Sequence, residues 1–232
     1  VPIVSVTKGV ENGTLLRPSQ ILADIIGGDA KVVALSGPTI ADELVRKLPA
    51  TATAASEDEQ LAKIVQEIFT TPYFRIYRNT DIIGVELAGA MKNVIAIAAG
   101  IVDGIKAGDN AKAALLCRGL AEITRLGLAL GAKEQTFSGL SGLGDLVTTC
   151  ISPMGRNRTF GQRIGKGQSV KQALDSTASV VEGAATCKSI VDLAKQHNID
   201  MPITEAVHQI LFCGKGVLDA IEELMKRKPK AE

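Results

Sequence analysis

The chain has 232 residues, 46% hydrophobic and 22% charged, an ordinary balance for a globular protein with room for a sizeable core. Its 26 basic and 25 acidic residues nearly cancel, so no global field points to nucleic acid or to an anionic membrane surface. Cys117, Cys150, Cys187 and Cys213 lie far apart, and His197 and His208 lack partners at ligand spacing; no metal is expected, and a reduced, cytoplasmic setting fits these thiols.

Residue 1 is not Met, no signal peptide is visible, and the chain opens directly into an alternating strand pattern, Val1 to Thr7. The sequence is therefore expected to be a piece of a longer protein. A polar turn and a helix, Pro18 to Ile26, lead to a second strand, Lys31 to Leu35. Ser36-Gly37-Pro38-Thr39 then turns into another helix, with Thr39 the expected N-cap and Asp42 in capping-box position. Ala50 to Ala55 reads as a third strand, Asp58 to Phe69 as a helix and Phe74 to Tyr77 as a last strand. Strands alternating with helices predict a parallel sheet, and the block reads as the second half of a doubly wound α/β domain. Ligands in such sheets gather beyond the carboxyl ends of the strands, which puts Lys8 and the Ser36 to Thr39 turn on the rim. No G-x-G-x-x-G follows a strand here; Gly139 to Gly144 belongs to a later, helical region.

After Arg78-Asn79-Thr80 the pattern turns helical: Asp81 to Lys106, Asn110 to Leu130, Gly144 to Cys150, Asn157 to Gly165, Ser169 to Ser176, Val181 to His197, Pro202 to Phe212 and Gly216 to Lys226. Two units are expected, residues 1–79 from a dinucleotide-binding domain and residues 80–232 forming an all-α substrate and catalytic domain. The closing Lys226-Arg227-Lys228-Pro229-Lys230 reads as a frayed, solvated tail. No uninterrupted apolar run is long enough to span a bilayer, because Glu86, Lys92 and Asn93 interrupt the best candidate.

Lys92 sits in a helix that is apolar nearly all round, where an ammonium must find a carboxylate or give up its proton. A structural ion pair and an acid/base lysine tuned by desolvation both satisfy that requirement. The glycine-rich run Gly139 to Gly144, expected as a flexible, close-packing loop, leads to Asp145, which suits either an N-cap or the partner of a buried lysine. Further on, Gly155-Arg156-Asn157 opens a helix with guanidinium and amide donors at its N-terminus, an arrangement that holds a small anion such as phosphate. Arg158, Arg163 and Lys166 read as a solvated basic face.

These motifs occur in one order: Val6-Thr7-Lys8-Gly9, Leu35-Ser36-Gly37-Pro38-Thr39-Ile40-Ala41, Glu86 to Val94, Arg118-Gly119-Leu120-Ala121-Glu122, Gly142-Leu143-Gly144-Asp145-Leu146 and Val180-Val181-Glu182-Gly183. In that order the chain resembles the bacterial type of NAD(P)-dependent glycerol-3-phosphate dehydrogenases. The resemblance implies a remnant of a Rossmann-like sheet followed by a helical domain of the 6-phosphogluconate dehydrogenase C-terminal-like type. It implies reversible hydride transfer between NAD or NADP and dihydroxyacetone phosphate, giving sn-glycerol 3-phosphate. Carried over by position, Lys92 and Asp145 are catalytic. Lys8, Gly37, Thr39, Lys92, Asn93, Asp145, Thr149, Gly155, Arg156 and Asn157 contact substrate, and Lys8, Ala41, Arg156, Val180 and Glu182 approach the cofactor.

Against the family pattern, the glycine-rich turn and about the first hundred residues are missing. The 232 residues alone are therefore expected to bind NAD(P)H weakly and to turn over negligibly. An incomplete sheet would expose an edge strand and invite pairing, which leaves room for a homodimer. The alternatives are a related dehydrogenase acting on another small hydroxy acid or keto compound, and a non-catalytic helical interaction or nucleic-acid module using Arg156 to Lys166. The near-neutral charge and 3% aromatics weigh against the second.

Overall fold

The computed structural model describes residues 2–27, 30–177 and 180–229. Val1, where the first strand is expected to begin, and Lys230 of the basic tail lie outside them. A four-stranded sheet comes first, β1 (Ile3–Ser5), β2 (Val32–Ser36), β3 (Ala50–Ala55) and β4 (Phe74–Asn79), hydrogen-bonded in that spatial order. Helices α1 (Pro18–Ile26), α2 (Ala41–Val45) and α3 (Glu59–Phe69) connect the strands.

The sheet is mixed rather than parallel throughout: β1/β2 and β3/β4 are parallel, but β2/β3 is antiparallel, with Leu35 opposite Ala54 and Ser36 opposite Thr53. The cause is the connection between β2 and β3. The five-residue α2 is only about 7.5 Å long, too short to carry the chain back to the edge where β2 began, so β3 runs back beside it. The cap of α2 also differs from expectation. Ile40 keeps an extended backbone at the N-cap and makes no side-chain cap, and the Thr39 hydroxyl donates instead to the Gly37 carbonyl at 3.1 Å. Gly37 itself is required by close approach, since a Cβ there would lie 2.8 Å from Ala52 Cα.

From Ile82 the described chain is helical: α4 (Ile82–Gly104), α5 (Asp109–Ala129), α6 (Glu134–Phe137), a π-helical turn (Leu140–Gly144), α7 (Asp145–Ile151), α8 (Arg156–Gly165), α9 (Val170–Asp175), α10 (Glu182–Gln196), α11 (Pro202–Phe212) and α12 (Val217–Met225). Asp81 starts α4 by accepting from Gly84 N–H at 2.8 Å, while its other oxygen takes Lys133 N–H and the Thr136 hydroxyl. Nearly all of α4 is buried at the centre of the largest core cluster, with Leu87, Ile95, Ile97, Leu126, Phe137 and Phe160 fully inside. It has the length and composition of a membrane span, but as the hub of a helical core its apolar surface is already covered.

Glycines set how close α8 comes to that hub. A Cβ on Gly104 would lie 2.5 Å from the Gln162 carbonyl oxygen, and Cβ atoms on Gly100, Gly161 and Gly165 would overlap the carbonyl oxygens of Arg158, Ile97 and Ile101. The two helices therefore meet backbone to backbone. At the other end of α4, Glu86 is buried and accepts from Arg17 at 2.5 Å and from both the backbone and hydroxyl of Ser19, tying α1 to the hub.

Glu122 does similar work across two helices. No side chain at Met201 caps α11, so Glu122 on α5 accepts from Ile203 N–H at 2.6 Å, Thr204 N–H at 3.1 Å and the Thr204 hydroxyl at 3.0 Å. Burial pushes its carboxyl up from 4.5 to about 7, against the pull of those donors. A carboxyl raised on folding stabilises fully below its unfolded value and loses that contribution as pH climbs through its folded one. Urea denaturation is expected to show stability falling by about 3 kcal/mol between pH 4.5 and pH 7 from this group. Glu122→Gln, which cannot ionise, should be less stable by about 1–3 kcal/mol because its amide NH₂ faces a donor, yet should lack that slope. An equal slope in both proteins would rule out this assignment.

Candidate active site

The catalytic candidates meet where the sheet's rim faces α4, α7 and α8. Lys92 lies in the middle of α4 and Asp145 opens α7, 53 positions later, and Lys92 Nζ donates to Asp145 Oδ1 at 2.5 Å and to Thr149 Oγ1 at 2.7 Å. Lys8, from the segment after β1, donates to the other carboxylate oxygen at 2.6 Å and reaches the Gly37 carbonyl at 3.4 Å. Asp145, 2% exposed, thus bridges two ammonium groups.

Asp145 does not cap its helix. The preceding residue, Gly144, already has helical backbone because Leu140–Gly144 forms a π-helical turn where a flexible loop is expected from sequence. Gly142 makes that turn possible: a Cβ there would overlap the Phe137 carbonyl. The carboxylate is left free to face the lysines. Gly89, one turn before Asn93 on α4, clears the path for Lys8; a Cβ on it would lie 3.0 Å from Ser36 Oγ and 3.5 Å from Lys8 Cγ.

Burial lowers the Lys92 pKa from 10.5 to about 8; Asp145 pulls it back up and Lys8 pushes it further down. An ammonium has three N–H groups. Two of those on Lys92 are held by Asp145 and Thr149.

A cleft of about 810 Å³ opens over this centre, lined by Lys8, Thr39, Ala41, Lys92, Asn93, Asp145, Thr149, Gly155, Arg156, Asn157 and Glu182 among the residues singled out from sequence. Asn93 Nδ2 is buried there without a partner among the described residues, a donor whose desolvation a ligand oxygen would offset. Arg156 is half-exposed and 3.5 Å from Glu182. Asn157 uses its Oδ1 to accept Gly183 N–H at 3.0 Å, which joins the first turns of α8 and α10.

Two residues fall outside the lining. Gly37 acts through its carbonyl, which both Lys8 and Thr39 use. Val180 is largely exposed and is not one of the lining residues. The lining also includes Val6, Thr7, Ile40, Asp42, Thr148, Ser152 and Met154. Adjacency to Lys8, Thr39, Thr149 and the turn before Arg156 is the signal by which they could be found. Arg158 and Arg163 are not the solvated face they resemble in sequence. Arg158 pairs with Asp103, and Arg163 donates to Thr177 Oγ1 at 2.7 Å and to the Ala173 carbonyl, because both project from α8 onto neighbouring helices. Lys166 is exposed. The basic tail is likewise engaged in part, with Lys226 on Glu222 and Arg227 on Asp200. Among the described residues no three His, Cys, Asp or Glu side chains converge as a metal site.

A Rossmann-like half-sheet set against a helical domain, with a lysine–carboxylate centre at their seam and an arginine lining the same cleft, marks the class of two-domain nicotinamide-dependent dehydrogenases. The match to family models is more specific. Residues 1–62 match the N-terminal model of NAD-dependent glycerol-3-phosphate dehydrogenase, and residues 81–222 match its C-terminal model. Glycerol-3-phosphate dehydrogenase [NAD(P)+] of Streptomyces coelicolor is 49% identical over 231 residues, 99% of this chain and 69% of that protein, and a Staphylococcus aureus counterpart is 51% identical over 99% and 70%. Among solved structures, glycerol-3-phosphate dehydrogenase from Coxiella burnetii superposes with a TM-score of 0.93 at 41% identity, covering 97% of this chain and 69% of that one. The chain belongs to the NAD-dependent glycerol-3-phosphate dehydrogenase family.

Proposed function

We propose that the chain carries the substrate side of an oxidoreductase that interconverts dihydroxyacetone phosphate and sn-glycerol 3-phosphate with NAD(P)H. The observation that supports this reading best is the convergence of Lys8, Lys92 and Asp145 in one cleft with Arg156. Bound NAD(P)H supplies the hydride to carbon 2. The open rim formed by Val6, Thr7, Ile40 and Ala41 suits the flat, apolar nicotinamide face, and Glu182 offers a carboxylate to its polar groups.

Lys92 donates its proton to the C2 oxygen as negative charge builds there, and in the reverse direction its neutral amine takes the proton back. Asp145 and Thr149 hold the Lys92 ammonium in place, and Lys8 adds a second positive charge beside the reacting oxygen. Arg156, Asn157 and the free N–H groups at the start of α8 take the phosphate, and Asn93 Nδ2 takes a substrate oxygen. Fixing both ends of a three-carbon molecule places carbon 2 for transfer.

The chain contains no glycine-rich strand-to-helix turn and spans 69% of the S. coelicolor relative. Weak NAD(P)H binding and negligible turnover are accordingly proposed for the 232 residues alone. Free thiols at all four cysteines, with Cys150 and Cys187 buried and pushed up to about 12, support work in the reducing cytoplasm. A homodimer is proposed as well, with the edge strand β4 as the candidate contact.

Calorimetric titration of sn-glycerol 3-phosphate into the chain tests the substrate assignment. Binding is expected for the wild type. Arg156→Met should weaken it about 10- to 100-fold, the worth of a charged hydrogen-bonded contact. A short RNA or an unphosphorylated hydroxy acid that binds in its place would refute the assignment. For turnover, a fusion placing the S. coelicolor sequence that precedes the matched region ahead of residue 1 should oxidise NADH with dihydroxyacetone phosphate, while the chain alone should not.

A further inference from the structure

We infer that Arg158 and Asp103 form a positioning pair that sets the phosphate end of the cleft; the inference rests on the phosphate reading given above. Neither residue lines the cleft. Arg158 Nε and Nη2 donate to Asp103 Oδ2 at 2.7 and 2.6 Å, and Lys112 Nζ donates to both Asp103 oxygens at 2.9 Å. All three side chains are less than one-fifth exposed. This cluster clamps together the last turn of α4, the first turn of α5 and the first turn of α8.

Among the described residues the Arg158 side chain makes one more hydrogen bond, and it points toward the site. Its Nη1 reaches the Ser152 carbonyl at 3.5 Å, the same oxygen that accepts Gly155 N–H at 3.2 Å and closes the turn into α8. That turn ends at Arg156. Gly155 also packs against Arg158, since a Cβ on the glycine would lie 3.5 Å from Arg158 Cβ. The glycine seam between α4 and α8 fixes the helix axis, and Gly155 seats the turn against α7, where a Cβ would lie 2.9 Å from the Thr149 carbonyl oxygen, but among the described residues neither gives the turn a side-chain tie to α4. The guanidinium supplies one: a planar fork held by a carboxylate from the helix that carries Lys92, with its remaining arm on the turn that presents Arg156. Asp103 thus relates the phosphate anchor to the proton donor through α4.

Calorimetry with sn-glycerol 3-phosphate on the full chain, together with NMR titration of the Lys92 ammonium, tests this. Arg158→Gln and Asp103→Asn are each expected to weaken binding about tenfold. Arg158→Lys, which keeps the charge but loses the fork, should weaken it about threefold. In all three the Lys92 titration near pH 8 should stay where it is, because the lysine–aspartate centre does not touch the pair. Wild-type affinity in Arg158→Lys and Asp103→Asn would overturn the inference alone. A displaced Lys92 titration in the weakened variants would also overturn it, by showing a general loss of packing. If the wild type itself does not bind sn-glycerol 3-phosphate, the functional reading falls and this inference with it.

Discussion

Lys92→Met is expected to lower kcat for dihydroxyacetone phosphate reduction by about 10²- to 10⁴-fold, measured in the NADH-competent fusion. Methionine fills the same volume in the centre of α4, so the buried hub should stay packed while the proton source disappears. Lys92→Arg should be nearly as inactive, since a guanidinium keeps the positive charge but does not release a proton near neutral pH. The direction of the pH dependence follows from the lowered pKa of about 8. With Lys92 in the proposed role, reduction uses the ammonium, so kcat/KM should fall about tenfold per pH unit above 8, while oxidation uses the amine and should rise with pH up to 8. Lys8 pushes the Lys92 pKa down and Asp145 pushes it up. Lys8→Met should therefore move the reduction limb to higher pH, and Asp145→Asn should move it lower. A Lys92→Met enzyme with wild-type kcat, or a limb indifferent to Lys8, would remove lysine 92 from the chemistry.

Lys92 is legible in the sequence because burying an ammonium in an apolar helix is costly, and so demands a reason. Its partner is legible only as one of several uses for a carboxylate at a helix start, because Asp145 and Lys92 are separated by 53 positions that local periodicity cannot bridge. Arg158 shows the opposite failure. On a helix face beside Arg163 and Lys166 it has the composition of a solvated stripe, and the carboxylate that buries it lies 55 positions earlier on α4. The antiparallel β2/β3 pairing has a similar origin. Helix and strand identities follow from pattern, but strand direction depends on how far a five-residue α2 can carry the chain, and that requires its length to within a residue or two. The π-helical turn before Asp145 carries glycines that suit a loop equally well; what selects the turn is the packing of Gly142 on Phe137, a contact made in space.

Gly100→Ala is expected to destabilise the fold by about 3 kcal/mol or more, lowering the melting temperature by roughly 10 °C. Local propensity argues the other way, because alanine in a helix interior is favoured over glycine by about 1 kcal/mol. Sterics decide the sign. An added methyl group would overlap the Arg158 carbonyl oxygen and lie 2.7 Å from Gln162 N, both backbone atoms of α8 that no rotamer change can move. α8 would have to retreat from α4, which opens the neighbouring close approaches at Gly104, Gly161 and Gly165 and strips contacts from Phe160 and Ile164 in the main core. The retreat carries Arg156 and Asn157 away from Lys92 and Asn93, so affinity for sn-glycerol 3-phosphate should fall along with stability. Gly144→Ala provides the contrast: Gly144 has helical backbone, and the nearest atom to its added Cβ is 3.7 Å away. There the propensity gain should win, and melting should be unchanged or slightly raised. Thermal unfolding followed by circular dichroism separates the two outcomes. A Gly100→Ala protein that melts with the wild type would mean that α4 and α8 can part at no cost, and that the distance between Lys92 and Arg156 is not set by their glycines.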